Sequence, residues 1–250
     1  MNNLTINNYI STNHFAINNS EFKSIINVYN YYGFAFKNLS EVDTDSIVYV
    51  HLYNENGESQ GIIEREIKTG ESLHIDTSIT NPNFSGLIST HMVPNGRMNR
   101  LSYKVGTKQR PISTSYFIMY ERFKKYRDFS HELYPISNRI EKINSEWMTM
   151  IYIKDDLKSS VVIMNKCPNE TKQEFKSKVT VEAYDNNFGF LKFLDEFKLM
   201  PGGSKIVNVS KSIRELLHFK SIIIKIKGNN IEQPMSLNYH DSGDFNFHHF

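Results

Sequence analysis

The 250 residues predict an all-β chain of two tandem β-sandwich domains, jelly-roll or immunoglobulin-like in class, and three observations carry that reading. Short runs alternate apolar and polar residues at period two. Asn- and Gly-rich turn material separates them. The same order of runs and turns occurs twice, roughly 130 residues apart, a spacing too long for a solenoid repeat and suited to duplication of a whole domain.

The first element is "SIVYVHLYNENG" (46–57), which lies over "KVTVEAYDNNFG" (178–189) at an offset of 184 − 53 = 131. Val48, Val50 and Leu52 then meet Val179, Val181 and Ala183, so one apolar face is kept in both. Each run ends in hairpin-turn chemistry. Next, Leu73 and Ile75 of "GESLHID" match Val207 and Val209 of "SKIVNVS" at an offset of 134, which continues through Ile88, Thr90 and Met92 against Ile222, Ile224 and Ile226. The turns "PNG" (94–96) and "GNN" (228–230) follow in register. "RPISTSYF" (110–117) then matches "QPMSLNYH" (233–240) at 234 − 111 = 123, and "DFSH" (128–131) echoes "DFNFHH" (244–249).

Only "SNRIEKINSEW" (137–147) and "SIRELLHF" (212–219) read as short helices. The first predicts a link between domains 1–134 and 135–250, with the single Trp147 anchoring the first strand of the second domain. A sheet with one apolar face must bury it against another sheet, hence the sandwich.

Composition narrows the class. With 39% hydrophobic and 22% charged residues the chain has ample core material, and no apolar run approaches a membrane span. The start, "MNNLTINNYISTNH", lacks the pattern of a secretory signal, and one cysteine, Cys167, can form neither an internal disulfide nor a cysteine-based zinc site. These features predict a cytosolic protein without a membrane partner. Self-association stays open.

The copies differ in one part. Between the matched turn and the matched proline the first half has "RMNRLSYKVGTKQR" (97–110), where the second has only "IEQ" (231–233). From 97 to 127 there are nine bases and one acid, a local charge of +8 in a chain of net charge +2. Clustered Lys and Arg attract anions, and Arg offers a two-pronged fork to carboxylate, sulfate or phosphate. Arg97, Arg100, Tyr103, Lys104, Lys108, Arg110, Arg122 and Lys124 are the candidate ligand-binding residues. They predict a non-enzymatic binding protein whose partner is an acidic saccharide or acidic protein surface. No zinc-finger, RNP or helix-turn-helix pattern supports nucleic acid. The plain alternative is a clamp onto the other domain.

A weaker signal lies in "YHDSGDFNFHHF" (239–250), where His240, Asp244 and His248 are candidate metal ligands for a cupin-like enzyme acting on a small molecule. Strand alternation would point the adjacent His248 and His249 to opposite faces, which argues against one compact site. No phosphate-binding loop, dinucleotide fingerprint, nucleophile elbow or zincin helix occurs, so neither a catalytic residue nor a cofactor is expected. A third class is a structural assembly subunit.

Overall fold

A computed structural model describes residues 12–32, 44–95, 102–105, 108–111, 115–131, 144–165, 176–216 and 218–249. In chain order the strands are β1 (Thr12–Ile17), β2 (Phe22–Tyr29), β3 (Ser46–Asn54), β4 (Ser59–Ile67), β5 (Ser72–Asp76), β6 (Ser85–Pro94), β7 (Ser102–Val105), β8 (Lys108–Pro111), β9 (Ser115–Arg122) and β10 (Tyr126–His131). They continue as β11 (Asn144–Tyr152), β12 (Leu157–Met164), β13 (Ser177–Tyr184), β14 (Phe190–Leu199), β15 (Ser204–Asn208), β16 (Ser221–Asn229), β17 (Met235–His240) and β18 (Phe245–His249). The chain is all-β, built of small antiparallel sheets. Sheet I has the order β1-β6-β3-β4, sheet II β10-β9-β2-β5, sheet III β11-β16-β13-β14 and sheet IV β15-β12-β17-β18, while β7 and β8 pair only with each other.

Read with ten strands to the first half and eight to the second, the orders of sheets I and II recur in sheets III and IV once the β7–β8 hairpin is set aside. The recurrence extends to single hydrogen bonds. At the end of β3 the Asn54 carboxamide oxygen accepts from the backbone of Asn56 and Glu58; at the end of β13 the Asp185 carboxylate accepts from Asn187 and Gly189. Both are Asx turns, offset by 185 − 54 = 131 as the sequence predicts. The turn needs a left-handed backbone near its end, supplied by Gly57 (φ +80°) in one half and by Phe188 (φ +63°) in the other. Similarly Asp76 and Asn208 each end a strand and cap a one-turn helix, over Thr77–Ile79 and Val209–Ser212.

Two offsets differ from the sequence reading. Tyr53 pairs with Leu87 and Tyr184 with Ile223, so β6 corresponds to β16 at 223 − 87 = 136 rather than 134. The paired caps put β5 on β15 at 208 − 76 = 132. Both slips are even, so every side chain keeps its face. The doubled proline phrase fares worse: Pro111 ends β8, whereas Pro234 precedes β17, and the two hairpins close at Arg122 and His240, 118 apart. The helix read over 137–147 is also corrected. Residues 144–147 belong to β11, where alternation places Trp147 against the core, and 137–143 lie outside the described residues.

A buried asparagine bolts each half. Asn30 donates to the carbonyls of Thr44 (2.8 Å) and Ile67 (3.3 Å) beside the Ser46 hydroxyl; Asn165 donates to the Leu199 carbonyl (3.2 Å) and accepts from the Ser177 hydroxyl (2.8 Å). Each ties the residue after β2 or β12 to strands of the opposite sheet. Replacing Asn165 by Ala strands a buried carbonyl and a buried hydroxyl, and a loss of about 1–3 kcal/mol is expected in urea unfolding. A loss below about 0.5 kcal/mol, the usual scale of a surface change, would show that the bolt carries no load.

Two cores result. The second lies within the second half, between sheets III and IV, and includes Val161, Ile163, Val179, Val181, Ile222 and Ile224. The first is built around sheets I and II but also takes Val162, Met164, Met235, Leu237 and Phe247 from sheet IV. Sheet IV is therefore apolar on both faces, and "VVIM" of β12 feeds the two cores with alternate residues.

Candidate functional site

The basic segment is divided by the fold. Arg97 and Arg100 lie outside the described residues. The β7–β8 ladder sets Tyr103 opposite Arg110, Val105 opposite Lys108 and Lys104 opposite Gln109, as a two-stranded sheet apart from the other four. The chain then enters β9, whose eight residues span about 23 Å before the turn that carries Lys124. Lys124 is exposed on left-handed backbone (φ +56°), and Lys125 lies 4.9 Å from the Tyr126 ring centroid.

Arg122 stands apart from Lys124, Lys125 and Arg127, which are exposed. It is only 3% exposed, wedged at the seam between the halves. Its guanidinium donates to the His240 carbonyl (2.7 Å) and to Glu21 (3.1 Å), and it lies 4.6 Å from the ring centroids of Phe123 and Tyr239 and 5.4 Å from that of Phe22. A desolvated guanidinium sandwiched by rings and holding a carbonyl 118 positions away is a clamp between halves. Around it Phe22 meets Tyr239 and Phe245 edge to face, Tyr126 donates to the Ser242 carbonyl, and Asp128 accepts from the Phe247 backbone (2.6 Å).

The terminal histidines are dispersed. His240 contacts Asp156 (3.1 Å) and His248 approaches Asp128 (3.7 Å). His248 pairs with Ser236, four positions along β17 from His240, so the two imidazoles attach about 13 Å apart. The Asp244 backbone carbonyl accepts from the His240 N–H, which closes the β17–β18 turn. Among the described residues no group of three or more His, Cys, Asp or Glu is arranged to hold a metal ion.

Two features were not foreseen. On the outward side of sheet I, Tyr49, His91, His51 and Tyr53 form a ladder of stacked rings with centroids 5.0, 5.2 and 6.5 Å apart in turn. Alternation of β3 places Tyr49, His51 and Tyr53 together, but the insertion of His91 between them needed the β3–β6 register. Burial, and then the neighbouring His51, pushes His91 down to about 3; burial lowers His51 as well. The second feature is the outer face of sheet III. There the edge strands turn apolar residues to solvent: Met148, Met150 and Tyr152 from β11, Phe190 and Phe193 from β14.

No protein-family model and no curated protein matches the chain. Among solved structures it is similar to a glycosyl hydrolase family 2 member from Bacteroides cellulosilyticus (10% identity, TM-score 0.21), where the match covers 94% of this chain and 27% of that one. It is also similar to the tandem CBM22-1–CBM22-2 domain of Xyn10C from Paenibacillus barcinonensis (11% identity, TM-score 0.20), with 94% and 80% covered. The chain thus spans about a quarter of the length of the hydrolase. At such TM-scores neither likeness carries a structural argument. No described helix is long and apolar enough to cross a membrane.

Proposed function

We propose that the chain is a non-enzymatic binding protein of two duplicated β-sandwich domains, residues 1–134 and 135–250, and that the β7–β8 hairpin contacts an acidic saccharide or acidic protein surface. The observation that carries this reading is the hairpin itself. It is an extra two-stranded sheet between β6 and β9, at a place where the second half passes from β16 to β17 through residues 230–234 alone. A part present in one copy only is not required by the fold, and this part carries Tyr103, Lys104, Lys108 and Arg110 on its strands. The repeated strand orders, Asx turns and asparagine bolts support duplication.

Long-range attraction brings the polyanion in, Arg pairs with its carboxylates or sulfates, and Tyr103 offers a flat face. Arg122 lies outside this surface because its guanidinium is enclosed between the halves. The test is binding to heparin and to polyglutamate over a range of salt concentrations, for wild type and for the variant with Arg97, Arg100, Lys104 and Lys108 all changed to Gln. Affinity for at least one polymer is expected to fall tenfold or more at low ionic strength, an effect of about 1.4 kcal/mol, and the difference should shrink as salt rises. Equal retention of the variant on both would end the proposal.

A further inference from the structure

Sheet III presents two rows of side chains across its outer face. Met150, Ile223, Tyr184 and Phe190 form one row, strand by strand; Met148, Lys225, Glu182 and Phe193 form the next. The opposite face of the same strands supplies Ile151, Val181, Ala183 and Ile224 to the second core, so this sheet is apolar on both sides. An antiparallel sheet with one solvated face ordinarily turns polar residues outward. Here Met148 is 42%, Met150 52%, Tyr152 62%, Phe190 59% and Phe193 47% exposed, and all lie on the two edge strands.

The corresponding strand of the first half is covered: β6 is buried from Gly86 to Pro94, whereas Lys225 and Lys227 of β16 reach the surface. We infer that the open face of sheet III is covered by the same face of a second copy of this chain, in a twofold dimer.

Charge favours that occupant over a polyanion or polycation. The ionic groups are already matched across neighbouring strands of the face, Glu146 with Lys225 (2.5 Å), Glu182 with Lys227 (2.9 Å) and Lys178 with Glu196 (3.0 Å), so it offers no strong field of either sign. Pairs of both signs flanked by apolar margins are self-complementary, because rotation about a twofold axis sets Lys against Glu and margin against margin. The area is sufficient. Four strands of about nine residues, at ~3.4 Å per residue and ~4.8 Å between strands, present roughly 580 Å² per copy, hence about 1,200 Å² in a dimer, the lower bound of a standard specific interface. Exposed Met beside Phe and Tyr adds the adaptable contact surface such interfaces favour.

The test is sedimentation of the full chain from about 1 to about 200 μM, which brackets a micromolar dissociation constant. Wild type should pass from monomer to dimer in this range. Met150→Lys together with Phe193→Lys should weaken dimerisation at least tenfold with an unchanged thermal midpoint, since both side chains already face solvent. Ile62→Ser, at an exposed position on β4, should dimerise as wild type does. A wild-type monomer throughout, or a double variant that dimerises normally, would overturn the inference. A monomer retained on a neutral glycan such as xylan, with retention lost in the double variant, would overturn it in favour of a saccharide.

Discussion

Phe247→Ala is expected to destabilise the whole chain by about 3–5 kcal/mol, the range for truncating a buried aromatic ring, because this one ring is shared by both halves. It is fully enclosed although it belongs to β18, an edge strand of sheet IV. It meets Phe15 of sheet I edge to face (centroids 6.2 Å) and Tyr120 of sheet II (4.2 Å), whose hydroxyl donates to the Phe15 carbonyl (2.6 Å). Three sheets thus converge on one side chain, and none can collapse into the gap without breaking a ladder, which places the cost toward the upper end. The measurement is urea unfolding followed both by far-ultraviolet circular dichroism and by Trp147 fluorescence. A single coincident transition at lower denaturant, with an unchanged slope, is expected. If the Trp147 signal of the second half kept its wild-type midpoint, the two halves would unfold independently and the shared core would contribute nothing to their coupling.

The second large effect is acid destabilisation through His91. The residue is 5% exposed, its imidazole stacked between Tyr49 and His51, and burial reinforced by His51 holds it down to about 3, against about 6.5 in an unfolded chain. The unfolded state therefore binds a proton near pH 6.5 that the folded state refuses until pH approaches 3. The neutral imidazole costs nothing above pH 6.5; the penalty then grows as pH falls and levels off only below about 3. Between pH 7.5 and pH 4 this amounts to about 3 kcal/mol from His91 alone. Carboxylates that titrate in the same window are removed by comparison with His91→Phe, which keeps a flat ring in the stack. The stability gap between wild type and this variant should shift by about 3 kcal/mol, in the variant's favour, from pH 7.5 to pH 4. Parallel profiles would mean that His91 takes up its proton as readily in the folded protein as in the unfolded chain.

Much of the fold is legible from local pattern. The offset of 131 at Asn54 and Asp185 follows from turn chemistry, since a side-chain acceptor followed by a left-handed position is written in three or four residues. The offset of β6 against β16 is 136 in the structure and 134 by sequence alignment, because a period-two pattern looks the same after any even slip. The asparagine bolts were visible only as "NVYN" and "VIMN" at the ends of β2 and β12, and nothing in either phrase reveals which carbonyls the side chain meets. The candidate contact surface was legible in part. The excess of bases over 97–110 marks the hairpin, but composition cannot separate Lys124, at an exposed turn, from Arg122, enclosed one strand end away.

The amino-acid sequence alone determined the strand class, the turns, the doubled order and the place of the cationic hairpin, because each depends on residues within reach of one another along the chain. The three-dimensional structure decided that sheet IV serves two cores, that Arg122 and Phe247 join the halves, and that one face of sheet III lies open. Those outcomes depend on which surfaces are pressed together across more than a hundred residues, and alternation states only that a strand has two faces, never what lies against either.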